Sequence, residues 1–358
     1  MTFNLSRRLV MGCAIAGAAM LGLLTQPAFA VHAYEPHLKP VATVSDTRFT
    51  IDTPQGHAEF PLYLSKDWNV AQPQVTRAVI VIHGKLRNAD VYFRTAQNAR
   101  DAAHADADST LLIAPQFLAT LDLRVHDEPA DLLRWTGNAW MGGEAAQAPL
   151  PVSSYEVLDA IVTRLADRKL FPNLRHVVFA GHSGGGQVVQ RYAVAARNIA
   201  VLTDEGIDVR YVVASPSTYA YFDAQRPNAQ GGVAPFDAAQ CADFNQWKYG
   251  MDNRPPYLGD RTPAQLEATY ASRRIDYLVG GTDDDPQQSA LDKTCAAEAQ
   301  GPQRVARAEA YYRYIQSRHP EGLKQRFHIV PGVGHNGARM LTSVCALSAM
   351  FDTKGCEQ

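Results

Sequence analysis

Several things are scarce or missing in this 358-residue sequence, and each absence closes off a class of function. No C-x-x-C or H-E-x-x-H spacing occurs, so the common ligand patterns for zinc are missing and neither a metal nor a cofactor is expected. Neither sign of charge dominates: 34 Lys and Arg stand against 36 Asp and Glu, which leaves no basic footprint for a nucleic acid. Internal repeats and low-complexity tracts are absent, which excludes solenoids and arrays. Apolar runs of bilayer length are also missing. The nearest approach follows Arg7 and Arg8, where Met11 to Leu24 is short for a span and no stop-transfer pattern comes after it. With the small-x-small triplet Ala28-Phe29-Ala30, residues 1–30 read as a signal peptide cut after Ala30, with no stable membrane insertion afterwards. The expected location is secreted or periplasmic.

Cysteines are few. Removal of Cys13 with the leader leaves Cys241, Cys295, Cys345 and Cys356, an even set in a chain bound for an oxidising compartment. Four cysteines allow three pairings. The favoured set is Cys345–Cys356, pinning the C-terminal tail, and Cys241–Cys295, tying an inserted region to the segment after an acidic loop.

What is present centres on His176-Val177-Val178-Phe179-Ala180-Gly181-His182-Ser183-Gly184-Gly185-Gly186-Gln187. A short apolar strand runs into a glycine-flanked serine and out into a helical pattern, the arrangement of a nucleophile elbow. Gly181 and Gly185 stand where side chains would collide with neighbouring elements, and the Gly184 N–H at the helix start is placed to bind a developing negative charge. Two further pieces follow in order. Ile275 to Gly280 reads as a strand ending in glycine, followed by Gly281, Thr282 and the run Asp283-Asp284-Asp285; Arg326 to Val330 reads as a last strand before a glycine-rich loop carrying His335. The order Ser183, acid, His335 is that of the α/β-hydrolases and differs from two other familiar serine triads. Asp283 is the expected acid, although Asp284 bears the same spacing to Gly281 as Asp283 does to Gly280.

Upstream, Thr76 to Gly84 is too continuously apolar to face water, and a second oxyanion donor is expected after it from the backbone N–H of Lys85 or Leu86. His83 reads as structural. Arg87 either binds substrate or pairs with a carboxylate. Thr110 to Phe117 and Val209 to Ala214 read as core strands; Ser153 with Glu156 forms a capping box ahead of a helix, and Gln303 to Ser317 reads as another helix. Strand and helix patterns alternate, as a mostly parallel sheet covered on both faces requires. Segments 120–150 and 219–270 are long, aromatic-rich and weakly periodic, and they are candidate cap or substrate-loop regions within a single domain spanning 31–358.

Taken together, Ile82-His83-Gly84, Asn88 to Phe93, Gly181-His182-Ser183-Gly184-Gly185, Gly280-Gly281-Thr282-Asp283 and Gly334-His335 resemble the α/β-hydrolase family, in particular secreted bacterial and fungal members, over roughly Arg77 to Leu347. The resemblance implies an α/β-hydrolase fold with an eight-stranded core, a triad of Ser183, His335 and an acid whose family spacing Asp283 and Asp284 fit equally, and an acyl-transfer hydrolase. No HGGG form of oxyanion loop is present, which separates the chain from that lipase subgroup. Candidate substrate contacts are Arg87, Tyr92, His182 and Trp247. The expected function is hydrolysis of a small-molecule or polymeric carboxylic ester; a serine peptidase or amidase would use the same triad, and a binding protein on a hydrolase scaffold is the non-catalytic alternative.

Overall fold

A computed structural model describes residues 38–356. The expected signal peptide, residues 1–30, lies outside the described residues. Among those described, eight strands form one sheet: β1 (Arg48–Thr53), β2 (Gly56–Leu64), β3 (Arg77–Ile82), β4 (Thr110–Pro115), β5 (His176–His182), β6 (Asp208–Ala214), β7 (Arg274–Gly280) and β8 (Gln325–Val330). Their spatial order is β1-β2-β4-β3-β5-β6-β7-β8, antiparallel at β1–β2 and β2–β4 and parallel from β4 onward.

The unbroken apolar runs of the central strands have a simple cause. Successive side chains point to opposite faces of a strand, and both faces are covered. Ile80, Ile82, Val177, Phe179, Val213 and Tyr277 enter one core layer, whereas Val79, Val81, Val178, Ala180, Val212 and Leu278 enter the other. The covering helices are α1 (Ala89–Ala102), α2 (Ser154–Ala166), α3 (Gly184–Ala195), α4 (Pro263–Ala271), α5 (Arg304–Arg318) and α6 (Val344–Phe351). At the start of α2 the Ser153 hydroxyl accepts from Tyr155 N, and the Ser153 N–H donates to Glu156 Oε2 at 2.7 Å, closing the expected capping box.

The aromatics of segment 120–150 are core residues. Trp135 and Trp140 are fully buried, and Phe117 stacks on Trp140 at 5.2 Å between centroids. Segment 219–270 adds a two-stranded hairpin, Gln225–Pro227 with Val233–Pro235, and most of its aromatics are buried too. The disulfides among the described residues are Cys241–Cys295 and Cys345–Cys356, the favoured pairing. Among the described residues no helix is long and apolar enough to cross a membrane.

Candidate active site

The site stands at the C-terminal ends of the parallel strands. Ser183 follows β5 directly and holds φ +60°, ψ −119°, a strained conformation that turns its hydroxyl out of the sheet. Its N–H donates to Ala214 O at 2.9 Å, which fastens the turn to β6. Close approach explains the flanking glycines: a Cβ on Gly181 would fall 2.4 Å from the Gly185 carbonyl, and one on Gly185 would fall 2.1 Å from Ile82 O.

His335, in the loop after β8, reaches Ser183 Oγ through Nε2 at 2.9 Å and Asp283 Oδ2 through Nδ1 at 2.8 Å. The ionised carboxylate can only accept, so Nδ1–H donates to it and Nε2 is left to accept from the serine hydroxyl. Asp283 is buried and Asp284 exposed, so of the two equally spaced aspartates it is Asp283 that meets the imidazole. Asp283 N donates to Gly280 O at 2.9 Å, and Thr282 N donates to Val333 O at 3.0 Å, locking the two loops together. Burial pushes the Asp283 carboxyl up, but the hydrogen bond from His335 and the positive charge of Arg304 outweigh it and hold the group below its ordinary value. His335 also sits below its ordinary value, through burial, with Asp283 opposing and Arg304 reinforcing the shift.

Arg304 is absent from the sequence-derived site. Its Nη1 donates to Asp283 Oδ1 at 3.1 Å, on the oxygen that His335 leaves free, and both side chains are almost wholly buried. Nη2 donates to Ser217 Oγ at 3.2 Å. The first helical residue of α5 gives no local sign of this contact, because the two partners are joined only by tertiary folding.

On the other side of Ser183, a Cβ on Gly184 would lie 3.0 Å from Lys85 N. The amides of Gly184 and Lys85 are therefore neighbours at the start of α3, where a helix has unsatisfied N–H groups. Leu86 instead presents a side chain that is 48 % exposed at the cavity mouth. His83 is buried: Nε2 accepts from Phe117 N at 3.0 Å, so Nδ1 donates to Gly84 O at 2.8 Å, and burial drives its pKa to about 4. It braces the loop in neutral form.

A cavity of about 500 Å³ opens at Ser183 and His335, lined also by Lys85, Leu86, Val91, Tyr92, His182 and Ala290. Tyr92 and His182 thus face it together, with Tyr92 Oη 3.3 Å from His182 Nδ1, while the His182 ring lies 4.6 Å from that of His335. Burial, with His335 adding to it, holds His182 well below its ordinary pKa, so it is neutral. The other two expected contacts are corrected. Arg87 is fully buried and grips Asp122 with both ends of its fork, Nε–Oδ2 2.7 Å and Nη2–Oδ1 2.9 Å, because a buried guanidinium needs an anion more than a cavity does. Trp247 is 7 % exposed and donates from Nε1 to Gly142 O at 2.6 Å, anchoring one inserted segment to the other. None of the residues lining the cavity comes from 120–150 or 219–270. Their large aromatics pack mainly into the core, while Met141 of the first segment lies against Gly184, where a Cβ would fall 2.9 Å from its sulfur.

Strand order, helix placement and the elbow define a class: the chain has the α/β-hydrolase fold. Among solved structures it is similar to LpqC, a poly(3-hydroxybutyrate) depolymerase from Bordetella parapertussis, at 20 % identity and a TM-score of 0.58 over 87 % of this chain and 92 % of that one. It is similar also to poly(aspartic acid) hydrolase-1 from Sphingomonas sp. KT-1, at 20 % identity and a TM-score of 0.57 over 87 % of this chain and 99 % of that one. No protein-family model and no curated protein matches the sequence.

Proposed function

We propose that the protein is an exported serine hydrolase that cleaves carboxylic esters, of small molecules or of a polymer, through an acyl-enzyme. The observation that carries this reading is the continuous hydrogen-bonded line from Ser183 through His335 to Asp283, set on a strained elbow beside the paired amides of Gly184 and Lys85. Ser183 Oγ attacks the carbonyl carbon as its proton passes to His335 Nε2, while Asp283 supports the imidazolium and the two amides hold the oxyanion. The C–O bond to the alcohol then breaks, His335 protonates the leaving alkoxide, and a water activated by the same nitrogen releases the acid. Leu86, Val91 and Ala290 offer the cavity an apolar lining suited to the acyl or alcohol portion. Export with cleavage after Ala30 belongs to the same reading, supported by the disulfides.

Ser183→Ala should abolish turnover and fluorophosphonate labelling while circular dichroism stays unchanged. Near-parental turnover by the variant would defeat the assignment. Matched unactivated ester and peptide substrates decide the bond: faster ester cleavage supports the proposal, and faster peptide cleavage makes the protein a peptidase with the same machinery.

A further inference from the structure

A groove of about 1060 Å³, roughly twice the cavity at Ser183, lies at the N-terminal ends of β6, β7 and β8, at the opposite end of the strands from the site. Its charge is lopsided. Arg197, Arg261, Arg273, Arg274 and Lys324 line it against Asp208 and Asp260, in a protein whose overall balance is slightly acidic. Asp208 is already engaged, by Arg210 at 2.6 Å and Arg274 at 3.3 Å. The half-buried Asp159 nearby is held by the hydroxyls of Tyr192 and Tyr257, each at 2.7 Å.

Among the described residues, Arg197, Arg261 and Arg273 have no carboxylate within ion-pair distance. Each is held by neutral acceptors: Arg197 Nη2 donates to Pro256 O at 3.1 Å; Arg261 donates from Nη2 to Ala195 O at 2.5 Å and from Nε to Leu258 O at 3.2 Å; Arg273 donates from Nη2 to Ala196 O at 3.3 Å and from Nη1 to the Tyr211 hydroxyl at 2.8 Å. Capping the C-terminus of α3 explains part of the placement of Arg261 and Arg273, but that terminus carries only about half a negative charge against their two full positive ones, and Arg197 adds a third beside them. The planes are also fixed in advance. Arg197 lies 4.4 Å over the Tyr257 ring, Arg273 lies 5.4 Å over Tyr211, and Arg273 Nε is buried with no partner. Burial, together with the neighbouring charges of Arg197 and Arg273, lowers the pKa of Arg261, the expected response of a cation crowded by like charges.

We propose that this groove is a second ligand site, independent of the hydrolase reading, that binds a multivalent oxyanion through Arg197, Arg261 and Arg273 with Arg274 and Lys324 at its rim. Rigid guanidinium forks match the paired oxygens of phosphate and carboxylate groups, and the volume exceeds what a single small ion fills, so the ligand carries several such groups.

Calorimetric titration of the oxidised protein with tripolyphosphate and, separately, with citrate tests this. Saturable 1:1 binding of either is expected, weakening as salt is raised, and the preferred probe identifies the anion as phosphate-bearing or carboxylate-bearing. Arg261→Gln/Arg273→Gln should weaken it at least about tenfold while ester turnover stays at the parental level. Because Arg261 and Arg273 also cap α3, Lys324→Glu provides a variant at an exposed rim position, and it should weaken binding in the same direction. Ser183→Ala should bind as the parent does, which separates this test from that of the hydrolase. Absence of saturable binding by both probes, or binding unaltered in the variants, overturns the proposal.

Discussion

At the scale of single residues, Arg304 is the side chain whose contribution is easiest to isolate. It places a full positive charge on the far oxygen of Asp283, and that charge acts on His335 through the carboxylate. A histidine serves as general base only when neutral, so whatever disfavours its imidazolium moves the acid limb of the pH–rate profile downward. Burial and Arg304 both do so, and the Asp283 hydrogen bond opposes them, leaving His335 below its ordinary 6.5. Activity should therefore persist below pH 6.5. Arg304→Met removes one of the two downward influences, and the acid limb of kcat/KM should move to higher pH. Arg304→Lys keeps the charge and should restore most of the parental profile. A limb that stays in place in Arg304→Met would assign this arginine to packing alone. The serine and histidine were legible in the sequence because their glycine neighbours answer local steric demands, whereas a guanidinium at the start of α5 answers to a loop 21 residues earlier.

At the scale of elements, the loop after β3 depends on a buried ion pair for its position. Arg87 adopts φ +58°, and besides its two bonds to Asp122 it donates from Nη2 to Lys39 O at 2.6 Å. Asp122 in turn accepts from Val41 N at 2.9 Å and Ala119 N at 2.7 Å. One pair therefore joins the segment before β1, the start of the short helix Thr120–His126 and the loop that presents the Lys85 amide. Arg87→Met strands a buried carboxylate, and urea unfolding should report a loss of about 3–5 kcal/mol. Turnover should fall as well, because the Lys85 N–H loses its support. A variant with parental stability would show that the backbone donors alone satisfy Asp122. The sequence marked Arg87 as either a substrate contact or an ion-pair partner, and it could not choose because Asp122 lies in a stretch without strong periodicity.

At the scale of the whole molecule, the two disulfides close very different lengths of chain. Cys241–Cys295 spans 54 residues and Cys345–Cys356 spans 11. Loop-closure entropy alone assigns about 4 kcal/mol to the first and about 3 kcal/mol to the second. The C-terminal tail is also held without sulfur, since Asp352 accepts from Arg77 at 2.7 Å and from Arg210 at 2.5 Å. Calorimetry should thus find a larger fall in Tm for Cys241→Ser/Cys295→Ser than for Cys345→Ser/Cys356→Ser. The reverse order would mean that the tail, and with it α6 against the sheet, depends on its bridge more than on its ion pairs.

The sequence by itself determined the central strands, the elbow, the capped helix α2 and the identity of Ser183 and His335, because each answers a local demand: apolar runs for a sheet buried on both faces, glycine where backbones nearly touch, serine where a helix needs a cap. The choice of Asp283 over Asp284 was left to the tertiary structure, since adjacent residues share spacing but not burial. So were the contact of Arg304 with the acid, the withdrawal of Arg87 and Trp247 from the cavity, and the burial of Trp135 and Trp140 in the core. Each of these turns on which distant groups meet in space, and charge pairing and close packing are properties of that meeting rather than of any stretch of chain.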